Sequence, residues 1–171
     1  MSAEAAPIIV LALFGPADFA WLDELRRAHF PPERNLIAAH LTMFHHLPPA
    51  IAPELRQRLI ADTRGVPRPA ARVAGLMSLG GGVALRVESA ELAVIRARLA
   101  DAFAPLLMPQ DRAGWRPHVT IQNKVPAAQA RALQAELERS FAPRPLAIAG
   151  LAAWWYHGGP WAPLSRHMFR A

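Results

Sequence analysis

The chain contains one short sequence twice. HLTMFHHLPPAIAPELRQRL begins at His40, and HVTIQNKVPAAQARALQAEL begins at His118. Aligned without a gap, the two copies share seven of twenty residues, where an Ala- and Leu-rich composition would give about one or two by chance. A repeat of this length predicts two similar halves, each with the same order of strands and helices.

The residues that the copies share fall into two groups. Each copy opens with a His-x-Thr element in a strand-like sequence, and a proline, Pro48 or Pro126, ends each strand. The two shared leucines in each copy lie four residues apart, which is typical of one face of a helix. The matched pairs are His40 and His118, Thr42 and Thr120, Leu55 and Leu133, and Leu59 and Leu137.

Length and composition predict one globular domain over residues 1–171. Hydrophobic residues make up 53% and charged residues 19%, and no apolar run approaches the length of a membrane span. With no cysteine, a disulfide framework and a thiolate metal site are excluded, and a cytoplasmic protein is indicated. The net charge of +6 would attract phosphate or nucleic acid, but no block of basic residues supports this independently.

Strand-like and helix-like segments alternate along the chain, which predicts an α+β fold of two pseudo-symmetric lobes. We expect Asp18 to cap the first helix, with Phe19 inward, and Ser89 to cap the third. Strands are predicted at 7–14, 36–47, 70–79, 83–87, 116–125, 146–156 and 165–170; four helices follow Asp18, Pro48, Ser89 and Pro126, and 106–115 is a predicted loop.

Strand alternation predicts that both His-Thr pairs face one cleft between the lobes. Residues two apart share a face of a strand, so the apolar residues between them point into the core. The first cleft face comprises His40, Thr42, Phe44 and His46, and the second comprises Arg116, His118, Thr120, Gln122 and Lys124. On this interpretation His45 points away from the cleft and has a structural role.

Two opposed histidines suit in-line phosphoryl transfer. An imidazole with a pKa near 6.5 can accept a proton at neutral pH while its counterpart donates one. A threonine hydroxyl two residues on can donate to a non-bridging phosphate oxygen and stabilise developing charge. We therefore predict His40, Thr42, His118 and Thr120 as the catalytic set, with no metal and no other cofactor.

The paired HLT and HVT motifs, the PHVT context after Trp115 and the YHGGPW sequence at 156–161 resemble the 2H phosphoesterase superfamily. Within it the chain is most similar to the bacterial 2'-5' RNA ligase-like, or RNA 2',3'-cyclic phosphodiesterase, proteins. The resemblance implies an antiparallel sheet with two helices in each lobe, a central cleft, and metal-independent opening of a 2',3'-cyclic phosphate to a 2'-phosphate. It also implies His118 as the base and His40 as the acid.

Four further residues are candidates for substrate binding. Arg116 and Lys124 share the face of His118 and could neutralise phosphate, and His46 shares the face of His40. Tyr156 belongs to an aromatic cluster of which one ring could stack on a base. The expected partner is RNA or a nucleotide with a 2',3'-cyclic phosphate.

Two other functions fit parts of the same pattern. A protein of this fold could bind RNA or nucleotides without significant turnover, which salt-sensitive binding without product would reveal. A metal hydrolase using His40, His45 and His46 is disfavoured, because alternation puts His45 opposite the other two and no nearby carboxylate completes a site.

Overall fold

The computed structural model describes residues 6–171, which form eight strands and five α-helices. None of the helices in this part of the chain combines the length and the hydropathy needed to span a bilayer. The strands are β1 Ile8–Phe14, β2 Leu41–Leu47, β3 Arg72–Ser78, β4 Val83–Glu88, β5 His118–Gln122, β6 Arg144–Pro145, β7 Ile148–Trp155 and β8 Ala162–Met168. The helices are α1 Pro16–His29, α2 Ala52–Thr63, α3 Ala90–Ala102, α4 Pro109–Arg112 and α5 Ala127–Glu138.

The strands form two antiparallel four-stranded sheets with matching order. The first sheet runs β2-β1-β7-β8 and the second runs β5-β4-β3-β6. The strand carrying each His-x-Thr motif therefore lies at a sheet edge, beside the strand that precedes it in its own half. The first sheet is completed by β7 and β8 from the C-terminal part of the chain, whereas the second sheet is built from four consecutive strands, β3 to β6. The predicted α+β fold with a sheet in each lobe is confirmed.

Buried side chains on β2 and β5 fix which face of each motif strand points into the core. Leu41 and Met43 on β2 and Val119 and Ile121 on β5 are fully buried, so the residue between each pair turns the other way. Each such side chain stabilises the fold by about 1.5–3 kcal/mol relative to exposure. The two motif strands also approach each other across the molecule, which brings Thr42 and Thr120 to a common space.

The hairpin between β3 and β4 depends on its three glycines. Gly80 has a φ of 79°, in the left-handed region that favours glycine, and Leu79 N–H donates to the Gly82 carbonyl across the turn. A Cβ on Gly82 would lie 1.9 Å from the Gln122 carbonyl oxygen. Only glycine therefore lets β4 approach the motif strand β5 this closely.

Several element boundaries differ from the sequence expectations. Gly15, not Asp18, is the N-cap of α1, because Pro16 starts the helix earlier than expected. The Asp18 carboxylate instead accepts a hydrogen bond from Ala147 N–H at 2.7 Å. Phe19 is 40% exposed rather than core-facing. The Ser89 cap is confirmed, with Leu92 N–H donating to its hydroxyl at 3.1 Å, while the predicted loop 106–115 contains α4.

Strand β2 does not alternate regularly beyond Thr42. Its register against β1 shifts twice, with Leu11 opposite Thr42, Val10 opposite Phe44 and Ile8 opposite Leu47. Such shifts mark β-bulges, which re-aim side chains. Phe44 is consequently buried in the core, and His45 turns to the cleft side. The predicted placement of Phe44 towards the cleft and of His45 away from it is therefore wrong.

Candidate active site

The two motif histidines are held in the same way. His40 Nδ1 lies 2.9 Å from the Ala38 carbonyl oxygen, and His118 Nδ1 lies 2.7 Å from the Arg116 carbonyl oxygen. A carbonyl oxygen can only accept, so Nδ1 of each ring carries a hydrogen and donates it. In both rings Nε2 is left as the nitrogen that can exchange a proton with a ligand.

Both His-Thr pairs line one cavity of about 320 Å³. A cavity of this volume is at the lower end of the range of small-molecule sites. His40, Thr42, His118 and Thr120 contribute from the two motif strands. The remaining lining residues are Ile9, His45, Arg96, Gln110, Gly114, Trp115, Arg116 and Trp161.

Two buried arginines connect each half of the chain to the motif strand of the other half. Arg26 on α1 donates to the Thr120 carbonyl on β5 at 3.0 Å, and Arg96 on α3 donates to the Met43 carbonyl on β2 at 3.1 Å. Burial lowers the pKa of both guanidinium groups, which nevertheless stay charged at neutral pH. These charge-assisted hydrogen bonds fix the backbone at each His-x-Thr element.

Two tryptophan side chains also contact the first His-x-Thr motif. Trp115 Nε1–H donates to the Thr42 carbonyl at 3.0 Å. The Trp161 ring meets His40 edge to face, with centroids 5.2 Å apart and planes at 75°. The first motif is thus enclosed by two indoles from outside its own strand.

The surroundings of His40 disfavour its protonated form. Burial lowers the pKa of His40 to about 4, and the nearby charges of Arg26, His118 and His45 act in the same direction, against the hydrogen bond to Ala38. In the unliganded protein at pH 7 the His40 ring is therefore neutral. The neutral ring is a weaker proton acceptor than an ordinary imidazole, and it has to gain a proton before it can act as an acid.

A model of the 2'-5' RNA ligase superfamily matches residues 14–160 of the sequence. The chain belongs to the 2'-5' RNA ligase superfamily. The resemblance to 2H phosphoesterases seen in the sequence is thereby confirmed. No curated protein sequence matches the chain.

Solved structures share the fold of this superfamily member over nearly all of its length. TT0787 of Thermus thermophilus has a TM-score of 0.64 and 15% identity, covering 96% of this chain and 98% of its own. E. coli LigT complexed with NADP+ has a TM-score of 0.59 and 16% identity, covering 98% and 99%. E. coli LigT complexed with 3'-AMP has a TM-score of 0.57 and 15% identity, covering 97% and 99%. At these identities the likeness concerns the fold alone.

Only one of the four predicted substrate-binding residues lines the cavity. Arg116 lines it beside His118. His46 is exposed and lies outside it, because the bulges in β2 bring His45 there instead. Lys124 lies beyond the end of β5, with a φ of 65°, and borders a separate surface pocket with Glu33. Tyr156 is 42% exposed and is also outside the cavity.

Trp161, which belongs to the YHGGPW sequence and to the aromatic cluster, and Arg96 were not predicted to line the cavity with the histidines. Trp161 reaches His40 from the loop between β7 and β8, and Arg96 reaches the cavity from the buried side of α3. Among residues 6–171, no group of three or more His, Cys, Asp or Glu side chains is arranged to hold a metal ion. His40, His45 and His46 therefore do not form such a group.

A second, larger groove adjoins the cavity. It has a volume of about 540 Å³ and shares His40 and Trp161 with the first. Its other walls are mainly apolar and include Phe14, Phe19 and Leu36. A flat apolar group attached to a phosphate held between the histidines could extend into this groove.

Proposed function

We propose that the chain is a phosphodiesterase that opens the 2',3'-cyclic phosphates of RNA ends or nucleotides to 2'-phosphates. His40 and His118 form the acid–base pair. The observation that supports this is the matched arrangement of two imidazoles, each with Nδ1 tied to a backbone carbonyl two residues earlier, around one cavity. Two-histidine acid–base catalysis needs Nε2 of both rings free at the same place.

The proposed reaction moves two protons and exchanges one bond at phosphorus. The base takes a proton from water through Nε2 while the water oxygen attacks phosphorus. The bond from phosphorus to the 3' oxygen breaks, and that oxygen receives a proton from Nε2–H of the acid. The phosphate then remains on the 2' oxygen. If the 5' hydroxyl of a second RNA took the place of water, the same steps would join the two RNAs by a 2'-5' linkage.

Thr42 and Thr120 are proposed to bind the reacting phosphate. Both are half-buried, and both line the cavity two residues from a histidine. Their hydroxyls can donate to the two non-bridging oxygens, whose negative charge grows in the transition state. Arg116 adds a positive charge on the side of His118. Together these groups can stabilise the phosphate through hydrogen bonds and charge.

The division of roles between the histidines follows the resemblance, with His118 as base and His40 as acid. Because the pKa of His40 is about 4 in the free protein, it has to rise before this ring can donate a proton. The negative charge of a bound phosphate raises the pKa of an adjacent imidazole. We therefore expect a phosphate ligand to bind together with a proton.

Calorimetry of adenosine 2'-monophosphate binding in buffers of different ionisation heat measures this proton uptake. At pH 7 we expect uptake in the wild type that exceeds the uptake in a His40→Asn variant. Equal uptake in both proteins would mean that His40 stays neutral in the complex, and the roles of acid and base would have to be exchanged.

Nucleotide binding without turnover is the second candidate function. It is favoured by the apolar groove beside His40 and by the structures of E. coli LigT with 3'-AMP and with NADP+. In either case the expected partner is RNA or a nucleotide. We place such a protein in the cytoplasm, as the absence of cysteine in the sequence indicates.

Product analysis separates the two functions. The protein is incubated with adenosine 2',3'-cyclic monophosphate, with and without EDTA, and the product is identified by phosphorus NMR. We expect adenosine 2'-monophosphate in equal yield under both conditions, and none from a His40→Ala/His118→Ala double variant. A 3'-phosphate product, dependence on metal, or binding without product would each contradict the proposed reaction.

A further inference from the structure

A third histidine lies in the cavity and is tied to a buried carboxylate. His45 Nδ1 is 3.0 Å from Asp111 Oδ1, and the Asp111 side chain has no exposed surface. The backbone N–H groups of His45 and His46 also donate to this carboxylate, at 2.8–3.0 Å. Burial disfavours the charge on Asp111, but these hydrogen bonds outweigh it and lower its pKa.

The pair is supported from the opposite side by Arg96. Its guanidinium donates to the Asp111 carbonyl at 2.7 Å and to the Met43 carbonyl at 3.1 Å, and it lies over the Phe44 ring at 4.2 Å. These contacts hold the bulged part of β2 against α4. His45 is consequently presented to the cavity by a rigid and fully hydrogen-bonded support.

The carboxylate determines which nitrogen of His45 is available. Asp111 is ionised and can only accept, so Nδ1 of His45 carries the hydrogen. Nε2 is left for a ligand in the cavity. When the ring also carries a hydrogen on Nε2, it can donate that hydrogen to a ligand while Asp111 provides the counter-charge.

The two-histidine reaction makes no use of this group. In that proposal the reacting phosphate is contacted by His40, Thr42, His118 and Thr120, and none of these roles falls to His45. His45 Nε2 and the exposed guanidinium of Arg116 therefore provide hydrogen-bonding groups beyond those that one cyclic phosphate needs.

Resting on the proposed function, we propose that His45 is a substrate-binding residue for a second phosphate, the 5'-phosphate of the nucleotide that carries the cyclic phosphate. Asp111 positions the ring for this contact. The preferred substrates are then RNA 3' ends or 5'-phosphorylated nucleotides rather than nucleoside cyclic monophosphates, which lack that group.

The test compares two substrates that differ by one phosphate. They are adenosine 2',3'-cyclic monophosphate and its 5'-phosphorylated form. We expect the wild type to favour the 5'-phosphorylated form by about tenfold or more in kcat/KM, as befits one charge-assisted hydrogen bond. In His45→Gln this ratio should fall to within about twofold of unity.

The matched control is His46→Gln. His46 is the next residue, has the same side chain and donates its backbone N–H to the same carboxylate, but it is exposed and outside the cavity. Its variant should keep the wild-type ratio. Asp111→Asn should lower the ratio too, and circular dichroism together with the melting temperature shows whether that variant is folded. A ratio near unity in the wild type, or an unchanged ratio in His45→Gln, would overturn the proposal.

A binding measurement keeps this proposal separate from the proposed reaction. Adenosine 2',5'-bisphosphate should bind the wild type about tenfold more tightly than adenosine 2'-monophosphate, and His45→Gln should remove that difference. If this result came with no turnover of either cyclic substrate, the second phosphate site would stand and the phosphodiesterase would fail. Turnover of both cyclic substrates without any preference would support the phosphodiesterase and contradict the second phosphate site.

Discussion

The motif strands β2 and β5 are alike where the reaction is proposed to occur and different immediately afterwards. Each has a histidine fixed through Nδ1 and a threonine two residues on. Beyond the threonine β2 bulges and turns His45 into the cavity, whereas β5 ends at Gln122 and the chain leaves the cavity at Lys124. A symmetric pair suits a phosphate with two equivalent oxygens. The asymmetric extension is what can distinguish one end of a nucleotide from the other.

The two copies differ in the hydrogen-bond partners of the residues that follow the threonine. Position 45 of the first copy aligns with Asn123 of the second, which turns back to accept a hydrogen bond from Lys124 N–H at 2.9 Å. In the first copy a buried carboxylate, Asp111, occupies the corresponding role from outside the strand. The end of the second motif is therefore hydrogen-bonded between neighbouring residues, whereas the end of the first is hydrogen-bonded to helix α4 from a distant part of the chain.

The strongest test of the symmetric part is to remove one imidazole at a time. His40→Ala and His118→Ala should each lower kcat by about 10²–10⁴-fold, because each step of the reaction needs one proton transfer. Steady-state kinetics on adenosine 2',3'-cyclic monophosphate measures both, and unchanged melting temperatures show that the fold is kept. Near-normal activity in either variant would contradict the proposal that both histidines transfer a proton in the reaction.

The threonines should show a smaller and equal effect. Thr42→Val and Thr120→Val each remove one hydroxyl donor with little change in volume, and we expect kcat to fall by about 10–10³-fold. The ratio of the two kcat values shows whether the two threonines contribute equally. If one variant loses activity and the other does not, only one threonine contacts the phosphate.

The two buried arginines allow the two motif strands to be compared for their contribution to stability. Arg26→Met and Arg96→Met each remove charge-assisted hydrogen bonds to the opposite motif strand, and we expect the free energy of unfolding to fall by about 2–4 kcal/mol in both. Urea denaturation measures the loss. Arg131→Met, at an exposed position on α5, is the control and should change it by less than about 0.5 kcal/mol.

The pH dependence of stability should distinguish His40. Its pKa is lowered in the folded state from 6.5 to about 4, so between these values the unfolded chain binds more protons. Stability should therefore fall as the pH falls from about 6.5 towards 4, by about 1–3 kcal/mol through this group. Urea denaturation of the wild type and of His40→Asn across this range should show a weaker dependence in the variant. Parallel curves would contradict the lowered pKa.

The sequence predicted the parts that depend on local pattern. The repeat placed His40, Thr42, His118 and Thr120 on two related strands, and the glycine hairpin and the Ser89 cap followed from residue chemistry alone. These features were accessible because strand alternation, helix periodicity and turn preferences act over a few residues.

Features that depend on contacts between distant parts of the chain could not be predicted from the sequence. The bulges that exchange the faces of Phe44 and His45 are associated with hydrogen bonds to Asp111 and Arg96, which are far away in the sequence. Trp161 reaches His40 through the tertiary fold. Lys124 and His46 were expected in the cavity by extending a regular strand past the point where it ends or bulges.

The first sheet joins the two ends of the chain. Its strands β1 and β2 lie before residue 64 and its strands β7 and β8 after residue 147, whereas β3 to β6 form the second sheet within residues 72–145. A fragment ending at residue 64 would have to take its third strand from another chain, as protomers do in a domain-swapped dimer. The molecule should accordingly melt in one cooperative transition, and the fragment ending at residue 64 should fold only when the rest of the chain is supplied in trans.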